Sequence, residues 1–323
     1  MFHFVIGLPG RFTQRCTDIA IACISSNGDQ ANAFTVNTPE EIARALLEAN
    51  NRDTILVASS AGGRIRRALA EGGRPFLVAM DDPRRALFDL VVDMHMDFAA
   101  AVREIASACP PVLSYAQIEC AVSVHGNDRF SHTAAKIASY LGGRFQDPTI
   151  SAPLKCQEQR PLAEVQRWWN SLGAADRSLA EGAISAYLAQ DATQSHSLRW
   201  EPRLFLGSDS AELGPMDITG RKRTLFEGPR IVVADGAWRL TLTMEFSRVA
   251  ADYDYRLEVL AGDVLATLDF RPSRDGEQQS VVDFCVPDNT DYPLSIRLSL
   301  QRSAFDGTVT LKNAVLNARP LSA

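Results

Sequence analysis

The chain has 323 residues, of which 46% are hydrophobic and 22% are charged, and its formal net charge at pH 7 is -6. This length and composition fit a globular protein of about two domains. The 33 basic residues are scattered instead of forming a tract, so we expect no nucleic-acid surface and favour a small-molecule or neutral-polymer ligand.

The N-terminal residues and the cysteines indicate the cellular compartment. Strand-forming residues begin at Phe2 without a basic segment and an apolar signal stretch, and no apolar run approaches the roughly 20 residues of a membrane helix. We therefore expect a cytoplasmic protein with no membrane span. The six cysteines form no Cys-x-x-Cys pair and have no histidine at ligand spacing, which predicts free, mostly buried thiols and no metal site. They are Cys16, Cys23, Cys109, Cys120, Cys156 and Cys285.

Up to about residue 190, predicted strands and helices alternate. The apolar segments FHFVIG, DTILVAS and RPFLVAMD, and a further one near QIECAVSV, predict strands. The segment TPEEIARALLEAN predicts a helix with Thr38 as N-cap, Pro39 as first helical residue and Glu41 completing a capping box. A single long helix is predicted from 83 to about 109. This alternation predicts a parallel α/β sheet covered by helices, with FHFVIG as a central strand.

After residue 190 the pattern changes to the period-two alternation typical of strands. Segments such as WRLTLTMEF, YDYRLEVLAG and LSIRLSL alternate apolar and polar residues, and turns rich in Gly, Pro, Asp and Asn separate them. They predict an antiparallel, jelly-roll-like β-sandwich. We expect an α/β domain over 1–195, a linker over 196–216 and a sandwich domain over 217–323.

The opening loop, GLPGRFTQ, joins the first predicted strand to a helix. At this edge of a parallel sheet the backbone N–H groups and the positive end of the helix dipole favour an anion. The loop lacks the lysine and the Ser/Thr of nucleotide-hydrolysing loops, so that activity is not expected. The predicted anion-binding residues are Gly10, Arg11, Thr13, Gln14 and, on the same rim, Arg64. A bare strand-to-helix turn is the alternative.

Three segments, taken in order, resemble the sulfotransferase family over about 1–190. They are the opening loop, the strand RPFLVAM leading into DDPRRALFDL, and the late helix FSHTAAKIASYLGG. In that family the loop cradles the 5' phosphosulfate of phosphoadenosine phosphosulfate, and an Arg-Asp-Pro phrase with a later serine holds the 3' phosphate. Asp82-Pro83 is retained here, whereas Asp81 and Asp89 stand at the arginine and serine positions. The resemblance implies a P-loop-type sheet in which two carboxylates repel the 3' phosphate.

No histidine stands near residues 59–61, where the resemblance places the catalytic base. His95 is the remaining candidate for a catalytic base, and an exposed or core-edge histidine is the other interpretation. On the same predicted helix three carboxylates recur every four residues, forming either a cation-binding ridge or a solvated face. They are Asp89, Asp93 and Asp97.

The segment DITGRKRTLFEGPRIVVADGAWRLTLTMEF, with FDGTVTLKNAVL near the end, resembles a β-sandwich module found at the C-termini of bacterial glycan-synthesis and glycan-modifying proteins. The resemblance covers about 217–318 and implies a possible glycan ligand. Trp238, Tyr253 and Tyr255 are the candidate surfaces for stacking on the apolar faces of sugars. For Trp238, burial in the core is the alternative.

Two hypotheses follow for the whole chain. The first is a non-catalytic or highly diverged sulfotransferase-like protein that acts in bacterial surface-polysaccharide biology and has a possible glycan-binding sandwich. The second is an active enzyme that transfers an activated anionic group from phosphoadenosine phosphosulfate to a sugar hydroxyl. Loss of the residues for the 3' phosphate favours the first, since a transferase must hold its donor in position. The sequence leaves the acceptor and the oligomeric state open.

Overall fold

The computed structural model describes residues 1–25, 31–50, 52–142, 160–188, 197–207, 213–288 and 290–319. Two compact units are present. Unit 1 comprises Met1–Asp97 and Ala108–Leu172, and unit 2 comprises Phe98–Ser107 and Gly173–Ala323. Cys156, predicted to be a free thiol, lies outside the described residues.

Unit 1 contains a parallel sheet. Its strands are β1 (Phe2–Gly7), β2 (Ala31–Thr35), β3 (Asp53–Ala58), β4 (Phe76–Met80) and β5 (Ala121–His125). They lie in the order β2-β3-β1-β4-β5, so β1 pairs with β3 on one side and with β4 on the other. Val5 and Ile6 of β1 are fully buried, as expected for a central strand covered on both faces. The predicted parallel sheet with the first strand at its centre is confirmed.

The helices of this unit follow the strands. They are α1 (Arg11–Ser25), α2 (Pro39–Glu48), α3 (Gly63–Gly72), α4 (Pro83–Phe88), α5 (Phe98–Ala116, of which 98–107 belongs to unit 2), α6 (Phe130–Tyr140) and α7 (Leu162–Ser171). Thr38 and Glu41 form the predicted capping box at the start of α2. The buried side of α1, which includes Cys16 and Ile19, packs in one core cluster with the sheet and with Ile137 of α6.

The single long helix predicted from 83 to about 109 is wrong. α4 ends at Phe88, a π-helix covers Asp89–Asp93, and a turn precedes α5. His95 lies in this turn with a φ of 55°, a left-handed conformation that cannot continue a right-handed helix. The turn carries no glycine, and its flanking residues Met94 and Met96 are apolar, so the sequence pattern shows no break.

Unit 2 contains two antiparallel sheets and one further helix, α8 (Ala174–Ile184). Its strands are β6 (Ser197–Trp200), β7 (Leu206–Gly207), β8 (Met216–Asp217), β9 (Arg223–Ile231), β10 (Gly236–Phe246), β11 (Tyr255–Ala261), β12 (Asp263–Phe270), β13 (Gly276–Val286), β14 (Leu294–Leu300) and β15 (Thr308–Ala318). One sheet has the order β13-β10-β15-β6, with β8 also paired to β15, and the other has the order β12-β11-β14-β9-β7. Phe246 of one sheet meets Tyr255 of the other with ring centroids 5.2 Å apart. The predicted β-sandwich is confirmed.

The division of the chain differs from the predicted domain boundaries. β6 falls in the segment that was expected to be a linker, yet Leu198 pairs with Leu316 of β15. α8, which the sequence pattern assigned to the α/β domain, belongs to unit 2. A four-residue strand in a polar stretch carries too little alternation to be recognised. No helix within the described ranges combines the length and apolarity needed to cross a bilayer.

The end of β1 yields a prediction for stability. A Cβ added at Gly7 would overlap Thr13 Oγ1 and lie 2.9 Å from both the side chain and the carbonyl oxygen of Ala79. We expect Gly7→Ala to lower the free energy of unfolding by about 1–3 kcal/mol because a packed site has no room for a methyl group. Urea denaturation followed by circular dichroism measures this loss.

Gly72→Ala is the matched control, because a Cβ at Gly72 meets nothing within 4 Å. Gly72 is the last residue of α3, so alanine there should leave stability unchanged or raise it by up to about 1 kcal/mol. Equal effects of the two substitutions would contradict the close packing at Gly7.

Candidate functional site

The opening loop joins β1 to α1 as the sequence predicts. The carbonyl oxygen of Gly10 accepts the first helical hydrogen bond from Gln14 N, at 3.2 Å, so Gly10 is the N-cap position of α1. Thr13 Oγ1 donates to Leu8 O at 2.6 Å, which ties the first turn of the helix back to the loop. The hydroxyl of Thr13 is thus buried and engaged within the chain.

A carboxylate of the chain itself lies at the start of α1. Arg11 N donates to Asp89 Oδ2 at 2.8 Å, and Asp89 is only 1% exposed. Burial raises the pKa of Asp89, and the hydrogen bond from Arg11 N opposes this shift. A negative group is favoured at this position by the helix dipole and by the unpaired N–H groups.

The side chain of Arg11 is also paired internally. Arg11 Nε lies 2.8 Å from Asp93 Oδ2, and Arg160 Nη2 lies 2.7 Å from Asp93 Oδ1. Arg160 in turn contacts Glu164 of α7 and lies 4.7 Å above the centroid of the Phe88 ring. A network of alternating charges therefore connects α1, the π-helix and α7.

This network changes the interpretation of the three carboxylates that recur every four residues. Asp97 is exposed, whereas Asp89 is buried and Asp93 is bonded to two arginines, so the set forms no continuous solvated face. The chain leaves helical geometry at His95, whose φ is 55°, so Asp97 does not continue the face that carries Asp89 and Asp93.

The other predicted anion-binding residues have partners of their own. Gln14 Nε2 donates to Asp18 Oδ1 at 2.8 Å, and Arg64 Nη1 lies 3.7 Å from Glu40 Oε1. Phe12, which follows Arg11, is 3% exposed and belongs to the core cluster. The role of Gly10, Arg11, Thr13, Gln14 and Arg64 in binding an anion stays a prediction.

The segment after β4 contains a second buried carboxylate. Asp81 Oδ1 accepts from Arg85 Nη1 at 2.8 Å, and these two side chains are 3% and 4% exposed. Arg85 also donates to Gly126 O and to Asn127 Oδ1 at the end of β5. Burial raises the pKa of Asp81 to about 7, although the Arg85 guanidinium opposes the shift. Asp82 is the N-cap of α4, because its side chain accepts a hydrogen bond from Arg84 N. The Asp82-Pro83 motif therefore begins a helix.

His95, the candidate catalytic base, is exposed in the turn between the π-helix and α5. Its catalytic role stays a prediction. Across the described part of the chain, no three His, Cys, Asp or Glu side chains converge in a way that could hold a metal ion.

Two of the three candidate sugar-stacking residues require a correction. Trp238 is 2% exposed, and its Nε1 donates to Ala234 O at 2.9 Å. Tyr255 is fully buried, its hydroxyl donates to Ala250 O, and its ring stacks on Phe270 with centroids 5.7 Å apart. A ring that stacks on a sugar needs an open face. Both residues lie on the inward face of their strands and are core residues of the sandwich.

Tyr253 is half-buried, and the structure places a more exposed aromatic residue beside it. Tyr253 Oη accepts from Phe305 N at 3.1 Å, and Phe305 is 91% exposed. The guanidinium carbon of Arg302 lies 5.8 Å above the centroid of the Tyr253 ring. We call Tyr253, Arg302 and Phe305 the aromatic surface.

The loop that carries Phe305, residues 301–307, is held at several points. Gln301 N donates to Asp254 O at 2.9 Å, and Ala304 and Gly220 exchange two backbone hydrogen bonds. Asp254 also pairs with Arg302 and with Arg271 through its side chain. Phe305 is thus an exposed ring on an anchored loop, with charged groups around it. The sequence signal for it is an aromatic residue in a turn, AFDG, between two alternating segments.

No family model matches the chain, and no curated protein matches it. Among solved structures, similarity extends to a domain of a multidomain xylanase from the hindgut metagenome of Trinervitermes trinervoides, with 7% identity, a TM-score of 0.28, and coverage of 39% of this chain and 100% of that one. A carbohydrate-binding module in complex with β-1,4-galactotriose has 8% identity, a TM-score of 0.24, and coverage of 43% and 79%. The VP2 subviral particle of infectious bursal disease virus has 12% identity, a TM-score of 0.27, and coverage of 40% and 34%. At these scores none of the three assigns a ligand site to this chain.

The Asp81–Arg85 pair yields a prediction that includes its pH dependence. Arg85→Met leaves Asp81 buried without its cation, and at pH 8 we expect a loss of about 3–5 kcal/mol in the free energy of unfolding. The folded pKa of Asp81 is raised above its unfolded value. At low pH Asp81 is protonated in the folded protein, and this protonation stabilises the fold. The stabilisation is lost as the pH rises through the folded pKa of Asp81. The loss measured by urea denaturation should be smaller at pH 5.5 than at pH 8.

Arg84→Met is the control for this pair. Arg84 bonds to Asp82 on the same helix but is about one third exposed, so its loss should be below about 1 kcal/mol. A loss for Arg85→Met that matches the control, or one that is larger at pH 5.5, would overturn the assignment of a buried ion pair.

Proposed function

We propose that the chain is a glycan-binding protein of bacterial surface-polysaccharide biology that works in the cytoplasm. Unit 2 carries the glycan site, and unit 1 is a non-catalytic, diverged domain of the sulfotransferase kind. The observation on which the proposal rests is the aromatic surface, where Phe305 stands exposed on an anchored loop beside Tyr253.

The chemistry of the aromatic surface suits a sugar. An exposed aromatic face packs against the C–H groups on one side of a pyranose ring. Arg302 and Asp254, which lie next to Tyr253, offer charged donors and acceptors to sugar hydroxyls. Because the loop 301–307 is already held by backbone hydrogen bonds, binding loses little conformational entropy.

The internal pairing of the carboxylates in unit 1 supports a non-catalytic role. The Arg11 N–H is bonded to Asp89, the Arg11 side chain to Asp93, and Asp81 to Arg85. A phosphate donor would have to displace buried charges that already have good partners, which costs several kcal/mol. The parallel sheet with β1 at its centre supports the descent from a P-loop-type domain.

The alternative is an active transferase, which the strand, turn and helix geometry at α1 favours. In that case residues 10–14 and Arg64 bind phosphoadenosine phosphosulfate, and His95 deprotonates a sugar hydroxyl. The two candidate functions differ in whether the donor binds.

Phe305→Ala tests the glycan site. The wild-type protein is run in native gels that each contain one polysaccharide: β-1,4-galactan, xylan, β-1,3-glucan or alginate. We expect at least one of the four to slow its migration. Phe305→Ala should weaken that binding at least tenfold, or about 1.4 kcal/mol, because the stacking surface is removed. Affinity electrophoresis over a range of polysaccharide concentrations gives the dissociation constant.

Tyr292→Ala is the matched control, since Tyr292 is another exposed aromatic residue of unit 2, at 59%, that packs against Gly262. It should leave polysaccharide binding unchanged. Absence of retardation of the wild-type protein by all four polysaccharides, or equal loss in both variants, would refute the proposed site.

Phosphoadenosine phosphate tests unit 1. We expect this nucleotide at millimolar concentration to leave the thermal unfolding of the protein unchanged, because Asp81 and Asp89 hold the groups that would bind it. Micromolar affinity would instead stabilise the fold by about 4 kcal/mol at a thousandfold excess over the dissociation constant. A shift of that size would support the transferase.

A further inference from the structure

We propose that the turn between the π-helix and α5 is a binding site for Cu(I). Its ligands are the thioether sulfurs of Met94 and Met96 and the imidazole of His95, which lies between them in the chain. The site belongs to unit 1 and does not depend on the glycan site. It gives His95 a role other than that of a catalytic base.

The three side chains of this turn are exposed together. Met94 is 56% exposed, Met96 is 37% exposed, and His95 is exposed as well. Methionine is among the residues most often buried completely, whereas here two methionines flank one imidazole at the surface. A dissolved metal ion therefore reaches all three residues without any rearrangement of the core.

The backbone of the turn is held on both sides of His95. Met94 N donates to Asp89 O at 3.1 Å, and Met96 N donates to Leu90 O at 3.0 Å. The Cα atoms of the two methionines are two residues apart in the chain and hence no more than about 7.6 Å apart in space. Because a methionine side chain is unbranched and has three rotatable bonds, both sulfurs can reach an ion that is bound to the imidazole.

The donor atoms of the turn decide which metal suits it. Thioether sulfur is a soft ligand that selects Cu(I), and imidazole also binds copper. The neighbouring Asp93 carboxylate is paired with Arg11 and Arg160, so it is not offered to the turn as a ligand. Mg²⁺ and Ca²⁺ require several oxygen ligands, and Zn²⁺ is bound by thiolate, imidazole and carboxylate. Two sulfurs and one nitrogen therefore favour Cu(I) over these divalent ions.

The charges near the turn also suit a monovalent cation. In the network of alternating charges that begins at the π-helix, three carboxylates face two guanidinium groups. A further carboxylate, that of Asp97, directly follows Met96. The surplus of negative charge attracts a cation to this part of the surface.

The test uses Ag(I), a soft monovalent ion that is stable in air, and the full-length chain with isotope-labelled methionine methyl groups. Accessible thiols, such as that of the exposed Cys285, are first blocked with N-ethylmaleimide in a chloride-free buffer. We expect the methyl NMR signals of Met94 and Met96 to shift together and to reach their limit at about one Ag(I) per chain. The signal of the fully buried Met244 should not move. Cu(I), added without oxygen as its acetonitrile complex, should displace Ag(I).

Three variants each remove one ligand and retain the turn. Met94→Leu and Met96→Leu replace a thioether by a hydrocarbon of similar volume, and they also assign the two methyl signals. His95→Asn removes the imidazole, while asparagine still tolerates the left-handed φ of this position. Each should weaken Ag(I) binding by about tenfold or more. Met216→Leu is the matched control, since Met216 of β8 has no histidine beside it in the chain, and it should leave the affinity unchanged.

The NMR titration of the wild-type protein decides the proposal even if a variant does not fold. The proposal is overturned if the signals of Met94 and Met96 do not shift, or if they shift without reaching a limit. It is also overturned if folded His95→Asn binds Ag(I) as tightly as the wild-type protein does, or if Cu(I) does not displace Ag(I).

Discussion

The hydrogen bond from Arg11 N to the Asp89 carboxylate is the constraint on which the arrangement of unit 1 depends. It joins the start of α1 to the π-helix that follows α4, and so it connects the segments that leave β1 and β4, two adjacent strands. A buried carboxylate is tolerated only where hydrogen bonds and opposite charges compensate for lost hydration. Asp93 and Arg160 extend the charge network around it.

The same principle operates at Asp81 and Arg85, at the end of β4. In both places a carboxylate is taken out of water and satisfied by groups of the chain itself. An enzyme site that binds an anion keeps such donors available for its ligand, whereas here they are engaged in the folded protein. These pairs stabilise the fold at the edge of the sheet that would face a nucleotide donor, and they support the non-catalytic role proposed for unit 1.

Unit 2 shows how burial decides the role of an aromatic side chain. Trp238 and Tyr255 stand on strands, at positions that alternate toward the interior, and each is buried with its polar atom bonded to a backbone carbonyl. Tyr253 and Phe305 stand outside the strands, where no alternation directs the side chain. Single exposed rings are common on protein surfaces, and Phe305 is distinguished by its place on an anchored loop beside Tyr253. The proposed glycan function of the unit is assigned to the aromatic surface for that reason.

The sequence alone determined the fold class of each unit. Thr38 and Glu41 specify a helix start, continuous apolar segments specify a parallel sheet, and period-two alternation specifies a sandwich, because each signal acts between residues close in the chain. Only the tertiary structure decided that Asp89 lies at α1 and that Phe305 lies beside Tyr253. These pairs are 78 and 52 positions apart. Contacts over such separations follow from how strands and helices pack, and no local pattern of residues encodes them.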